Sequence, residues 1–399
     1  MVTTFYPPYF FGGDAMHVYR LSNLLARRGH DVTVVHAIDA YRVLAGSEPG
    51  GRFPNEPGVT VVPVRGRLGQ AAPVLTYLTG RPLLSRRSIQ AVLERERFDV
   101  IHFHNVSLIG GPGVLSYGRA PKLYTMHEHW LVCPMHVLFK NNRELCFDPH
   151  CLRCSLAFHR PPQLWRYSNL LSKQLEHIDV FLAPSRFAAQ AHRERGFARP
   201  VRHLPYFLPA SAAATNGDAA PQERPYFLFV GRLEKLKGVE PLIDRFRNYP
   251  DAELLIAGEG NAEDALRGSA ADMDNVRFLG RLDPSDLLPL YRRATALVVP
   301  SLAYEVFPIV ILEAFAQRTP VIVNDVGPLP EIVRESGGGR VYGTPEELRA
   351  AMEELQRDPH RRRELGEAGH QAWLRLWSEE PHLSGYFDAI EAAQARSRR

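Results

Sequence analysis

VVPSLAYEVFPIVILEAFAQRTPVIVNDVGPLPEIV, residues 298–333, reads as strand, loop, short buried helix, strand and loop. Val298 and Val299 end an apolar run that Pro300 and Ser301 close, and Pro308 stands where a first helical turn tolerates a residue without an N–H. From Ile309 to Ala316 every face is apolar except at Glu313, the mark of a helix inside a domain, and Pro320 opens the next strand. Glu305 therefore falls in the loop before the helix, and Glu313 about two turns into it. A carboxylate in so apolar a helix costs several kcal/mol unless something pairs with it, so Glu313 requires a partner. A structural ion pair or cap would satisfy it. So would a polyol site, in which two carboxylates each accept paired hydrogen bonds from vicinal hydroxyls. The amides of Val306, Phe307 and Ile309, at a helix start, would then hold an anion.

Before this stretch, strands and helices alternate in the same way. Tyr226 to Val230 is a strand ending at Gly231; Arg232 follows, and Lys237-Gly238 precedes a helix through Ile243 and Phe246. A strand end thus delivers a guanidinium and an ammonium to a place where phosphates can be held without a metal, although two basic residues near a turn also read as surface charge. Residues 254–257 form another strand, with a turn flanked by Gly258 and Gly260; Val276 to Gly280 and Ala296 to Val299 add two more, with a helix over 286–293. After the quoted stretch, 345–365 is strongly helical and charged, and Trp373, Trp377, Tyr386 and Phe387 anchor the final helices.

The N-terminal half repeats the scheme. Residues 1–5 resemble the C-terminal half of a strand, which places the translated start a few residues upstream. Gly12 and Gly13 form a turn permitting close backbone approach, Asp14 caps the helix that follows, and Val32 to Val35 is the next strand. Two later strands end in His102 and His104, and in His127, at the edge where open parallel sheets bind ligands. Ser185 caps a helix from Arg186, and the Ala-, Pro- and polar-rich run 209–225 is a linker. The basic segment between Arg65 and Arg97, with Arg81, Arg86 and Arg87, reads as a solvated helical face.

All four cysteines, Cys133, Cys146, Cys151 and Cys154, fall within 22 residues as C-x12-C-x4-C-x2-C. Four thiolates ending in C-x2-C suit a tetrahedral metal, structural zinc first and an iron–sulfur cluster as the alternative, with a disulfide or redox switch behind them. His129, His136 or His150 would serve in place of one thiol.

At 399 residues and 45.0 kDa the chain exceeds one hydrophobic core, so two domains are expected. A net charge of +4 and a pI near 8.9 allow a weakly basic surface for phosphorylated ligands or an anionic membrane, without arguing for nucleic acid. No apolar run reaches the roughly 18 residues of a spanning helix, and a signal peptide's basic start and apolar core are missing; the expected place is the cytoplasm, where disulfides seldom persist.

Glu305 and Glu313 in the form E-x7-E, Gly231-Arg232 and Lys237-Gly238 in the form G-R-x4-K-G, and Thr125-Met126-His127-Glu128 together resemble the retaining glycosyltransferases of family 4 over nearly the whole chain. The resemblance implies the GT-B fold: two doubly wound, Rossmann-like α/β domains facing a cleft. The acceptor domain would span 1–208, with the cysteine module at 127–159; the nucleotide-sugar domain would span 226–377, and a helix over 378–399 would pack back on the first domain. It implies transfer of a sugar from a UDP- or GDP-sugar to the hydroxyl of a carbohydrate, lipid-linked or small-molecule acceptor, with no divalent metal needed. Arg232 and Lys237 would hold the diphosphate, Glu305 the donor sugar, Glu313 the ribose, His127 the sugar from the other side, and Gly12, Gly13 and Asp14 the acceptor and donor phosphate. The turn at Gly258 and the segment around Arg281 would hold the nucleotide and its base. In members with lipid-linked acceptors a region like Arg65 to Arg97 touches membrane. This sequence departs from the family at Val306-Phe307-Pro308, where many members have Gly-Phe-Gly, and at Thr319, where they have Gly, which bears on sugar specificity. The rival readings are a nucleotide-sugar 2-epimerase of the same fold, a non-catalytic nucleotide-sugar binder, and a metal-sensing regulator.

Overall fold

The strands Ala296–Val299 and Val321–Asn324 lie parallel and adjacent, joined through the helix Ile309–Ala316. The computed structural model describes residues 1–46, 48–95, 97–213 and 224–397. Its contacts divide the chain into two units: Met1–Asn141, Asp148–Pro205 and Leu383–Arg399 in the first, Asn142–Phe147 and Tyr206–His382 in the second.

In chain order the strands are β1 (Val32–Ala37), β2 (Val59–Val64), β3 (Ile101–Phe103), β4 (Lys122–Thr125), the two-residue β5 (Phe139–Lys140) and β6 (Glu144–Leu145), β7 (Val180–Ala183), β8 (Val201–His203), β9 (Tyr226–Val230), β10 (Glu253–Ala257), β11 (Val276–Gly280), β12 (Ala296–Val299), β13 (Val321–Asn324) and β14 (Gly339–Tyr342). The second unit carries a parallel sheet ordered β11-β10-β9-β12-β13-β14. In the first, β2-β1 and β3-β4-β7-β8 are parallel runs, and Val2 bridges to Val35 on one side and to Phe103 on the other. The opening residues therefore act as the central strand, held by Val2 N–H on His102 O at 2.8 Å and Thr3 N–H on Val35 O at 3.0 Å. Counted with that segment, both sheets run third, second, first, fourth, fifth, sixth, the first unit's adding β8 as a seventh, so each reverses direction once, between its first and fourth strands.

Alternation of side chains explains why both faces of the second sheet are covered. Leu228, Leu255 and Leu297 point into one core with Ile311, Leu312 and Phe315 of the buried helix and with Trp373 and Trp377. Phe227, Phe229, Leu254, Ile256 and Val298 point into another, against Val239, Leu242 and Ile243. Within the first unit, Tyr386 of the last helix, Glu379–Ser397, donates or accepts a hydrogen bond at His102 Nδ1, 3.1 Å away.

Three local readings change. Gly12, in extended conformation, is the N-cap of the helix Gly13–Arg27, and Asp14 lies in its first turn instead of capping it. The charged run at 345–365 is two helices, Pro345–Arg357 and Pro359–Leu376, because Pro359 cannot continue a backbone ladder and Asp358 accepts from the amides of His360 and Arg361 to start anew. Of the linker read at 209–225, Ala210–Ala213 forms a 3-10 turn, and 214–223 lies outside the described residues. Ser185 does cap its helix, accepting from Ala188 N–H at 3.1 Å.

Candidate functional site

In the second unit the reversal point lies between β9 and β12, and the basic and acidic residues singled out in the sequence gather on the loops that leave these strands. Gly231 ends β9, Arg232 is exposed and pairs with Glu234 at 2.7 Å, and Lys235–Lys237 is a 3-10 turn. Gly238 then takes φ of 69°, and a Cβ there would lie 2.0 Å from the carbonyl oxygen of Pro300. Only glycine lets the turn press so closely on the loop after β12. That approach puts Lys237 Nζ 2.6 Å from Glu305 Oε1, which also accepts from Ser301 Oγ at 2.7 Å. Asn324 at the end of β13 steadies this loop by donating to Ser301 O at 3.0 Å. Burial by itself pushes the Glu305 carboxyl up, but the Lys237 ammonium, the Ser301 hydroxyl and Arg232 outweigh it and hold the group below its ordinary value. The result is a carboxylate charged at neutral pH beside a cation at a sheet edge.

Gly258, after β10, has φ of 140°, and a Cβ there would fall 1.9 Å from Gly231 O, so the turns after β9 and β10 meet backbone to backbone. Arg281 is exposed immediately after β11. Glu313 finds the partner its apolar helix demands: the buried Tyr291 donates from its hydroxyl to Glu313 Oε2 at 3.0 Å. Phe307 and Ile309 are buried and Val306 half-buried around Pro308, which is the N-cap of the helix.

In the first unit Gly12 is half-buried and Gly13 exposed, and Asp14 beside them accepts from Asn105 Nδ2 at 3.3 Å. His127 is buried, with Nε2 2.8 Å from His104 Nδ1. Burial drives His127 down to about 3 and His104 well below its ordinary value, with neighbouring histidines adding to the effect on His104, so both rings are neutral at physiological pH. Glu128, the next residue, hydrogen-bonds to His136 Nδ1.

A family model described as Glycosyltransferase Family 4 matches residues 11–208, and one described as Glycosyl transferases group 1 matches residues 214–372. The chain belongs to glycosyltransferase family 4. This glycosyltransferase is 29% identical over 404 residues to a Mycobacterium tuberculosis protein named Glycogen synthase, with 90% of this chain and 86% of that one covered. It is 26% identical over 365 residues to the phosphatidyl-myo-inositol mannosyltransferase of the same organism, covering 86% and 83%. Among solved structures, sucrose-phosphate synthase from Thermosynechococcus elongatus matches with a TM-score of 0.74 at 20% identity over 98% of both chains, a likeness of fold. The fold is GT-B.

The metal module read from the cysteine spacing is not shown in this family 4 glycosyltransferase. Among the described residues no three Cys, His, Asp or Glu side chains gather as a metal-holding group, and Cys133, Cys146, Cys151 and Cys154 are not disulfide-bonded. Cys154 Sγ instead accepts the Asn141 N–H at 3.3 Å, and Cys146 lies in the segment that groups with the second unit. Burial, reinforced by the neighbouring Cys133, pushes the thiols of Cys151 and Cys154 up. Sequence reasoning also missed the roles of Ser301 and Tyr291, and placed His104 at the ligand-binding edge without its partner His127. For Tyr291 a signal existed in the demand of Glu313 for a partner, although nothing in the chain said where it would come from.

Proposed function

We propose that this glycosyltransferase moves a sugar from a UDP- or GDP-sugar to an acceptor hydroxyl with retention at the anomeric carbon. The observation that supports the reading best is the Lys237–Glu305–Ser301 group beside the start of helix Ile309–Ala316, at the reversal point of the second sheet. Glu313, oriented by Tyr291, accepts the ribose hydroxyls, and the exposed Arg281 borders the base. Lys237, Arg232 and the amides around Val306, Phe307 and Ile309 face the diphosphate. As the bond to the sugar breaks, negative charge grows on the leaving diphosphate, and these groups stabilise it where it forms. Glu305, kept ionised by Lys237, accepts from donor-sugar hydroxyls. His127 is a neutral imidazole and orients the sugar as a hydrogen-bonding group, not as a cation. The departing phosphate takes the proton of the acceptor hydroxyl, so the protein needs no nucleophile of its own and no metal in the transfer step.

The acceptor meets the first unit around Gly12 and Gly13, where five aromatic residues, Phe5, Tyr6, Tyr9, Phe10 and Phe11, lead into the helix and Phe11 stacks on Tyr41 at 4.8 Å. The named relatives suggest both a carbohydrate and a lipid-linked acceptor as classes to try. No described helix is long and apolar enough to cross a membrane; peripheral contact through the exposed Arg81, Arg86 and Arg87 belongs to the lipid-linked case. The experiment is release of nucleotide from a panel of UDP- and GDP-sugars. Loss with Lys237→Ala and weakened nucleotide binding with Glu313→Ala are expected, and near wild-type behaviour in both variants would sink the assignment.

A further inference from the structure

The first unit holds a cavity of about 400 Å³ that shares no residue with the candidate site. It opens between the helix Cys151–Ala157, the 3-10 turn Leu164–Tyr167 and the helix Leu170–Leu175. Val132, Leu171, Leu175 and Phe197 give it apolar walls, and Arg166 and Arg195 are its charged wall groups. The Arg166 guanidinium lies 5.3 Å from the ring centre of Trp130 and 4.7 Å from that of Trp165, donates to Trp130 O at 2.8 Å and bonds Gln163 Oε1. Among the described residues no carboxylate pairs with it. Its electrostatic neighbours are the thiols of Cys133 and Cys151 and the phenols of Tyr77 and Tyr124, and burial pulls it down to about 10. A half-buried guanidinium with no acid beside it carries a desolvation cost that a bound anion offsets. Arginine's planar fork suits the paired oxygens of a carboxylate or phosphate.

We propose that this cavity is a second ligand site, taking a small organic anion whose carboxylate or phosphate meets Arg166 and whose apolar tail lies along Leu171, Leu175 and Phe197. The volume falls in the range of small-molecule sites, which are mostly apolar with a few fixed polar groups. Leu152 and Tyr167, on the rim, are 48% and 69% exposed, so the mouth is apolar as well and admits the tail. The site stands whether or not the donor assignment above is right.

The test titrates octyl phosphate, below its micelle concentration, into the full chain. Quenching of tryptophan fluorescence is the readout, since Trp130 and Trp165 flank the guanidinium. Saturable one-to-one binding is expected, weakened about tenfold or more by Arg166→Gln through loss of the charge-assisted pair. Leu171→Glu, which leaves the stacked guanidinium in place but sets a negative charge on the wall, should weaken it as well. UDP and GDP binding in the same preparations should be unchanged, which reports intact folding separately. Equal binding of octyl glucoside, equal binding by both variants, or no saturable binding would overturn the proposal. Binding to phosphatidylglycerol vesicles without binding of monomeric octyl phosphate would also overturn it, in favour of a surface that meets a bilayer.

Discussion

Glu305 stays ionised because Lys237 stands 2.6 Å away, and neither residue would hold its position without the other. Each was legible in the sequence as a member of a different motif, but their pairing was not, because 68 residues separate them and only the fold brings the two loops together. The same holds for Glu313 and Tyr291, where the apolar helix announced the need for a partner and left its identity open. Two predictions belong at this scale. Lys237→Ala should lower turnover roughly 100-fold, about 2.7 kcal/mol of lost transition-state stabilisation, measured as nucleotide release under saturating donor. Tyr291→Phe removes only the hydroxyl that orients Glu313 and should weaken nucleotide binding by roughly threefold to tenfold, the net worth of one ordinary hydrogen bond. An unchanged dissociation constant would detach Tyr291 from the site.

The helix Ile309–Ala316 and its flanking strands were readable because apolar periodicity, a proline at the start and a strand on either side all point the same way. The turn Lys235–Lys237 was not readable as a 3-10 element, since what shapes it is the approach of Gly238 to Pro300 O. Gly238→Ala therefore strains a left-handed position and collides with a carbonyl, so it should cost roughly 1–3 kcal/mol of stability and displace Lys237. Thermal unfolding and turnover should fall together, whereas lost stability with full turnover per folded molecule would mean that this turn does not set the lysine. The cysteine module is a pattern that the described residues do not assemble. Its spacing satisfied a metal-site pattern, yet spacing constrains only the chain. Cys154 is turned to the Asn141 amide, and the described residues bring no ligand group together. Metal analysis of purified protein checks this, with less than stoichiometric zinc or iron as the expected result.

For the whole molecule, two doubly wound sheets bring Arg232, Lys237, Glu305 and His127 to loops at the carboxyl ends of strands, and Glu313 into the helix that follows one of them. His36, His104, His127 and His192, all in the first unit, are buried and pushed down, His36 and His192 to about 4 and His127 to about 3. A histidine whose folded value is depressed takes up its proton in the unfolded chain first, near about 6.5, so folding loses stability as pH falls below that value and continues to lose it until the folded value is reached. Denaturant unfolding should show a clear fall in stability between pH 7 and about pH 5. His104→Gln and His127→Gln should each flatten that slope, and an unchanged slope in both would place the rings in contact with water.

The most direct measurement is a calorimetric titration of UDP and of GDP into the wild-type chain and into Glu313→Ala and Lys237→Ala. One site per chain for at least one of the two diphosphates is predicted, abolished or strongly weakened by Glu313→Ala and weakened by Lys237→Ala. Binding of neither nucleotide, or binding that both substitutions leave untouched, would contradict the placement of the donor on the second sheet.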